Sequence, residues 1–494
     1  MEEAREGEGT FSLRARVRLA AEAVLEFAEP CYGPRGLAKA IQQSDGSVRV
    51  LASGASALRE VAPADPDVQP YADLAGAVQE HAGDQATASL LLAARMIRNA
   101  CNGIEGGVPA AAYLDGYSLA LRQARATLSS IAAPDPAADS LKGVVPGQPG
   151  LAALVAEGLQ RLGKGRDTLP LDAIDVVAEG ASASWLPGVL VRPQRIPRAP
   201  PTGEVRVLLL SDDWRPGTFK EGMSYKMTAK HTLGVWSANE DAMRAEALGH
   251  LQGLGVGLVV CHREVEAGLA DMCESAGIFV WNDAPASAMQ RIERAVSAQP
   301  VARLAHAQRA DLGKGKLEKR DRRLGGWLLV GKGPSATLLM PAENELAKAQ
   351  ARDDGERLLR CAGAWLREPE AVPGGGRWQR VLAKSLRSAA DAAPGKSPLG
   401  MRAAADALDA VADALVRNLG LDPLAMRLPP DAAGIVDPAL CVRVALVGAV
   451  EMAIQVLRVD DRYAKKPTST AGLRGGEGKP MTVREMAGDV PPLM

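Results

Sequence analysis

The sequence predicts a multi-domain protein in which an α/β domain is inserted into a mainly helical one. Three observations predict it. At 494 residues the chain is too long for one compact core. Both ends carry apolar residues at helical spacing, whereas in the middle short apolar runs alternate with helices. Aromatics make up 3% of the residues against 47% apolar in all, which favours helices packed through small side chains.

The elements follow in order. Residues 11–28 read as an amphipathic helix, with Val17, Ala20, Ala21, Val24, Phe27 and Ala28 on one face. Pro30 and the turn Gly33-Pro34-Arg35-Gly36 break it. A short hairpin is expected next, turning at Ser44-Asp45-Gly46 before Val48–Leu51. Helices are expected over 54–62, 70–82, 86–101 and 108–131, then a loosely patterned helical stretch over 137–165. A strand signal opens with Leu171, Ile174, Val176 and Val177 and continues at Val189–Val191. Pro193, Pro197, Pro200 and Pro201 mark a linker or domain edge. Val205–Leu210, Val256–Cys261 and Ile278–Trp281 read as buried strands, the last two followed by helices over 263–276 and 285–297. Trp327–Val330 is expected to form a hairpin with Ala336–Met340. Helices return over 343–366, 376–393, 400–419 and 438–457, and the Gly-, Pro- and Lys-rich tail after Tyr463 is expected to be mobile.

Several function classes fall away. The formal net charge is −1, so no nucleic-acid footprint is expected. The basic run from Lys314 to Arg323 reads as a solvated loop. The six cysteines show no CxxC or zinc-ligand spacing and read as buried free thiols in a reducing compartment. The acidic start resembles no signal peptide, and no apolar run free of charge is long enough to span a membrane. A cytoplasmic protein is expected. No GxxxxGK[ST] loop, Ser/His/Asp set or metal-ligand cluster appears, and the five histidines are scattered.

Seven segments nevertheless form an ordered pattern. Cys31-Tyr32-Gly33-Pro34-Arg35-Gly36-Leu37 resembles the TLGPKGM element of group II chaperonins. Ala52-Ser53-Gly54-Ala55-Ser56-Ala57-Leu58 resembles their NDGATIL, and Gly83-Asp84-Gln85-Ala86-Thr87 their GDGTT. Gly107-Val108-Pro109 with Gly116-Tyr117 resembles GIHPT…GY. Val372-Pro373-Gly374-Gly375-Gly376 matches VPGGG, Asn418–Pro423 is close to NAGLDP, and Leu457–Asp461 is close to LRIDD. These pieces span nearly the whole chain in family order. The resemblance implies equatorial, intermediate and apical domains. It places the equatorial domain at 1–136 and 373–464, the intermediate domain at 137–188 and 342–372, the apical domain at 189–341 and a flexible tail at 465–494.

The resemblance also implies a nucleotide site for ATP and Mg2+. Gly33, Pro34 and Gly36 would let backbone N–H groups approach phosphate oxygens. With Gly83 and Thr87 beside it, Asp84 would hold the magnesium, and it could equally cap the following helix. Gly374 and Gly375 would let the ribose or base lie on the backbone, or would serve as a hinge between domains. Asp460 and Asp461 would close the adenosine end, or would simply be a solvated pair.

Departures from the family pattern weaken the catalytic set. Ser53 stands for the aspartate of NDG. Gln85 and Ala86 replace a glycine and a threonine. Counting back from Val372, the family's water-activating aspartate falls on Arg357, and a guanidinium cannot act as a base. Lys142 takes no assigned role in a stretch shorter than the family's. In the apical region Met223, Tyr225, Met227, Leu233, Val235 and Trp236 suggest a client-gripping protrusion or a small local core. The expected function is a chaperonin-like, ATP-binding ring subunit that encloses or binds non-native protein, with weakened hydrolysis. Its partners would be itself or paralogous subunits in a double ring. The alternative is a non-catalytic structural or adaptor protein that co-assembles without hydrolysing ATP.

Overall fold

The computed structural model describes residues 12–61, 65–145, 149–163, 171–198, 200, 203–212, 214, 230–320, 326–459, 474–475 and 479–480. Helix α1 (Leu13–Ala28) starts where Ser12 Oγ accepts the Ala15 N–H at 3.3 Å and stops before Pro30. A hairpin of β1 (Lys39–Gln42) and β2 (Val48–Leu51) follows, its turn pinned by Asp45 Oδ1 accepting the Ser47 N–H and hydroxyl. Helices α2 (Gly54–Val61), α3 (Gln69–His81), α4 (Ala86–Glu105) and α5 (Ala110–Ile131) come next, then the short strand β3 (Ala133–Pro134).

The middle of the chain opens with α6 (Pro149–Gly163), β4 (Ile174–Ala178), β5 (Ser184–Pro187), β6 (Val189–Val191) and β7 (Gly203–Leu210). It continues through α7 (Lys230–Leu254), β8 (Val256–Cys261), α8 (Ala267–Ser275), β9 (Phe279–Trp281) and α9 (Ala286–Val296). Strands β10 (Gly313–Lys319), β11 (Trp327–Gly331) and β12 (Ala336–Met340) precede α10 (Glu345–Arg367). The chain returns through β13 (Glu370–Pro373), α11 (Arg377–Ala392), α12 (Ser397–Asn418), β14 (Val436–Pro438) and α13 (Ala439–Arg458).

Both chain ends build one helical core. Val24, Leu90, Met96 and Tyr117 from the first end pack with Leu382, Leu408, Val442 and Ala449 from the last. By length and composition α13 could cross a membrane, yet it serves here as a core helix packed on α3, α4 and α5. Helices α5 and α12 approach closely because both carry glycine at the crossing. A Cβ on Gly116 would lie 2.6 Å from Gly400 Cα and 2.5 Å from Ser397 O.

A second core lies between α6, α10 and a three-stranded sheet ordered β4-β12-β5. The inserted module is a six-stranded sheet ordered β6-β11-β10-β7-β8-β9, with β7, β8 and β9 parallel. Strand β7 alternates as a sheet covered on both faces should. Val207 and Leu209 face one core with α9, while Leu208 and Leu210 face the other with α7 and α8. The architecture is therefore a mainly α module from both termini, a small α+β module and an inserted α/β module.

Several local readings need correction. The expected hairpin does not form: β11 pairs with β10 and β6, whereas β12 pairs with β4 and β5 in the other sheet. The turn between them crosses the end of α9, where Gly333 N–H bonds Ala295 O and a Cβ on Gly331 would sit 1.8 Å from that oxygen. The basic run is no loop up to Lys319. It forms β10, whose Lys314, Lys316 and Lys319 are exposed while Gly313 and Leu317 are buried. Helix α7 was not foreseen, because its apolar residues follow no helical stripe. The helical stretch over 137–165 divides into a 3-10 turn at Asp139–Gly143 and α6. All six cysteines are free and buried, as expected.

Substituting Gly116→Ala should lower stability by about 2 kcal/mol through overpacking at the α5–α12 crossing. The shift of the guanidinium unfolding midpoint reads this; an unchanged midpoint would contradict the close approach.

Candidate nucleotide site

Three loops of the helical module and one helix of the middle module converge. The first loop follows α1. Gly33 takes φ +91°, a backbone state that favours glycine. A Cβ on Gly36 would stand 2.4 Å from Cys31 O. Asn418 Nδ2, at the end of α12, donates to Glu29 O at 2.8 Å and Tyr32 O at 2.7 Å and so fixes the loop. Pro34 is exposed in the turn.

The second loop joins α3 to α4. Gly83 has φ +79°, and a Cβ there would meet Arg357 O and Cys361 N at 2.5 Å each. That missing side chain lets α10 lie directly on the loop. Gln85 holds φ +66° without being glycine, a conformation costing roughly 1 kcal/mol. Gln85 Oε1 is buried without a hydrogen-bond partner among the described residues, and turning the amide over would present its NH2 instead.

The third loop is Gly374-Gly375-Gly376, which leads from β13 into α11 with φ +63° at Gly375 and +87° at Gly376. A Cβ on Gly374 would lie 2.7 Å from Asp437 Oδ1. Asp437 stands opposite Val372 in the β13–β14 pair, and its Oδ2 accepts the Trp378 indole N–H at 3.1 Å.

The loops share neighbours. Gly33 and Gly376 both face Leu415. The Tyr32 hydroxyl accepts from Gln379 Nε2 at 3.3 Å. Burial, then the charges of Asp437 and Asp84, push that hydroxyl up. Gly33, Asp84 and Gly375 thus belong to one cluster. A cavity of about 470 Å3 against α1, α3 and α13 shares no residue with it.

Arg357 dominates the electrostatics. Its Nη2 donates to Asp84 Oδ1 at 3.1 Å and to Val144 O at 3.5 Å, and its Nη1 donates to Asp354 Oδ1 at 3.3 Å. Burial pulls the guanidinium down, but Asp84, Asp353 and Asp354 outweigh it and hold it above its ordinary value. Burial, helped by Asp353, raises the Asp354 carboxyl against Gln350 and Arg357. Asp353 accepts the Ser56 hydroxyl at 3.0 and 3.1 Å and Gln79 Nε2 at 3.3 Å. Gln350 Oε1 accepts the Ala52 N–H at 2.6 Å. Helix α10 is therefore bolted to the helical module along several turns.

Other foreseen residues have local partners. Asp84 does not cap α4, which begins at Gln85 without a side-chain cap; its carboxylate turns to Arg357. Thr87 Oγ1 accepts the Ala55 N–H at 3.3 Å, and Ser53 Oγ accepts the Ser56 N–H at 3.2 Å, so both serve the start of α2. Lys142 pairs with Asp139 at the surface. Asp460 and Asp461 lie outside the described residues. Sequence reasoning missed Tyr32, Trp378 and Asp437. Asp437 could have been sought as the strand partner that the Val372 segment requires.

A magnesium ion can make do with one carboxylate when phosphates and water complete its shell. Among the described residues no group of three or more His, Cys, Asp or Glu could hold a metal. Asp84 is the one carboxylate the resemblance gives it, and Asp84 Oδ1 already faces a guanidinium. The residues present do not fit the metal.

The profile of the TCP-1/cpn60 chaperonin family matches residues 24–427. The chain belongs to that family. It is similar to the thermosome subunit of Methanocaldococcus jannaschii, 24% identical over 94% of each chain. It is also similar to thermosome subunit alpha of Halobacterium salinarum, 25% identical over 90% of this chain and 87% of that one. Among solved structures, a group III chaperonin in the open state covers 91% of this chain and 98% of its own at TM-score 0.71 and 21% identity, a likeness of fold. In chaperonin terms the helical module is equatorial, the α6–α10 module intermediate and the six-stranded module apical.

Two predictions follow from this chaperonin's site. Burial and then Asp84 push the Asp437 carboxyl up to about 7, against Trp378 and Arg377. The unfolded chain releases that proton near pH 4. The resulting stability is full below that pH and is lost as pH rises through about 7. Asp437→Asn should therefore gain on the parent between those limits in thermal melts; a pH-independent difference would contradict it. Gln85→Gly should stabilise the fold by about 1 kcal/mol in urea unfolding, whereas a loss would show that the Gln85 side chain contributes more than its strain costs.

Proposed function

We propose that this chaperonin forms rings with itself or with paralogous subunits, binds adenine nucleotide in the equatorial cluster, and hydrolyses it slowly or not at all. Family membership supports a chaperone ring subunit. The observation that carries the rest is Arg357 on Asp84. Attack of water on a phosphoryl group needs an oriented nucleophile and a base. Arg357 supplies a fixed cation at the position the resemblance gives to the base. The neighbouring carboxylates are committed, Asp353 to Ser56 and Gln79 and Asp354 to Arg357.

Binding would use the backbone at Gly33, Pro34, Gly36 and Gly83, the uncapped start of α4 near Thr87, and Gly374 and Gly375. Asp437 would stand beside the ribose or base; Asp460 and Asp461, which the resemblance gives to the adenosine end, lie outside the described residues. Chaperonins generally bind ATP with Mg2+; the resemblance gives that ion Asp84, and here Arg357 occupies the carboxylate instead. We propose the domain limits given above with one change: β12 (Ala336–Met340) joins the intermediate domain, since it pairs with β4 and β5. Free buried thiols suit a reducing cytoplasmic compartment.

Non-native protein would bind at the apical module. Exposed Met243 on α7, and a cavity lined by Leu248 and Met272 between α7 and α8, offer adaptable apolar surface. Met223, Tyr225 and Met227, and the side chains of Leu233, Val235 and Trp236, lie outside the described residues.

The second reading, a structural or adaptor chaperonin that co-assembles without an ATPase cycle, draws on Ser53 and Gln85 as well as Arg357. Electron microscopy with a phosphate-release assay tests both readings. We expect ring particles, alone or with a paralogue, and turnover at least about 100-fold below that of an active thermosome subunit. A homogeneous monomer that joins no paralogue would refute the ring, and brisk turnover abolished by Asp84→Ala would refute the lost engine.

A further inference from the structure

We infer that Arg357 takes the place of the divalent metal, so that this chaperonin binds a metal-free nucleoside di- or triphosphate. The inference rests on reading the equatorial cluster as a nucleotide site. A magnesium ion needs oxygen ligands at short range and repels a neighbouring cation. At Asp84 the cation is already built into the chain. Arg357 Nη2 lies 3.1 Å from Asp84 Oδ1, and Nη1 lies 3.3 Å from Asp354 Oδ1. The guanidinium is held firmly, because α10 rests on the side-chain-free Gly83 and Gln350 ties it to Ala52.

Arg357 also has donors to spare. Its described bonds use one N–H on Nη1 and two on Nη2, leaving Nε and a second Nη1 hydrogen. A phosphate oxygen is the acceptor that a planar guanidinium matches best. The start of α4, a helix of 20 residues, carries no side-chain cap, so its first N–H groups are available to the same phosphates. The cation comes from the intermediate domain and the carboxylate from the equatorial domain. A polyphosphate seated here would therefore touch both domains through protein atoms alone.

Calorimetric titration with ADP tests this, once in EDTA and once in excess Mg2+. The two dissociation constants should agree within about threefold. Electron paramagnetic resonance with Mn2+ should show no protein-bound ion in the ADP complex. Arg357→Asp should weaken ADP binding in EDTA by about tenfold or more and let Mg2+ restore it. If that variant fails to fold, Arg357→Met should still lose affinity in EDTA. Parent binding that is about tenfold weaker in EDTA, or a bound Mn2+ signal, would overturn the inference and leave the nucleotide site standing. An absence of ADP binding in both conditions would overturn the site and the inference together.

Discussion

The ion pair between Arg357 and Asp84 is where the intermediate and equatorial domains of this chaperonin are tied together. A part-buried guanidinium is stable where carboxylates surround it, and removing one partner from such a group strands the other. Asp84, Asp353 and Asp354 supply the counter-charge. The geometry exists because Gly83 has no side chain. Helix α10 can then bring its backbone against the loop before α4 and aim Arg357 at Asp84. The pair thus couples the position of the intermediate domain to the equatorial loop between α3 and α4.

That coupling reverses the logic of an ATPase site. A catalytic site leaves a carboxylate free to orient water and an acidic residue free for metal. At the positions the resemblance gives to these two groups stand Arg357, a cation, and Asp84, which is paired with it. The surrounding hydroxyls are spent on structure, with Ser53 and Thr87 both accepting N–H groups at the start of α2. Yet the glycines of these loops keep a left-handed backbone at Gly33, Gly83, Gly375 and Gly376. Gln85 is held in the same kind of conformation at a cost in strain. Under the function proposed above, the chain has kept the form of a nucleotide site while replacing its charges.

Much of this was legible in the sequence. The equatorial helices follow from apolar periodicity, and the ordered motifs predicted that both termini share one module. Arg357 was singled out by counting along a helix, and α10, unbroken from Glu345 to Arg367, carries it to Asp84. What failed depended on tertiary partners. Strands β11 and β12 are adjacent, apolar and short, as hairpin strands are, and only the passage over α9 sends them to different sheets. Asp437 gave no signal of its own, since its meaning comes from lying opposite Val372 and beneath Gly374. Asp84 looked like a helix cap because caps are local, whereas its actual partner is Arg357, far away in sequence.

The central claim is that Asp84 and Arg357 act as one unit, and a double-mutant cycle measures it most directly. Urea unfolding of the parent, Asp84→Asn, Arg357→Met and the double variant yields their coupling free energy. The account predicts a coupling of about 1.5 kcal/mol or more, as expected for a part-buried charged pair. Single-variant effects that add to within about 0.5 kcal/mol would show two independent side chains and contradict it.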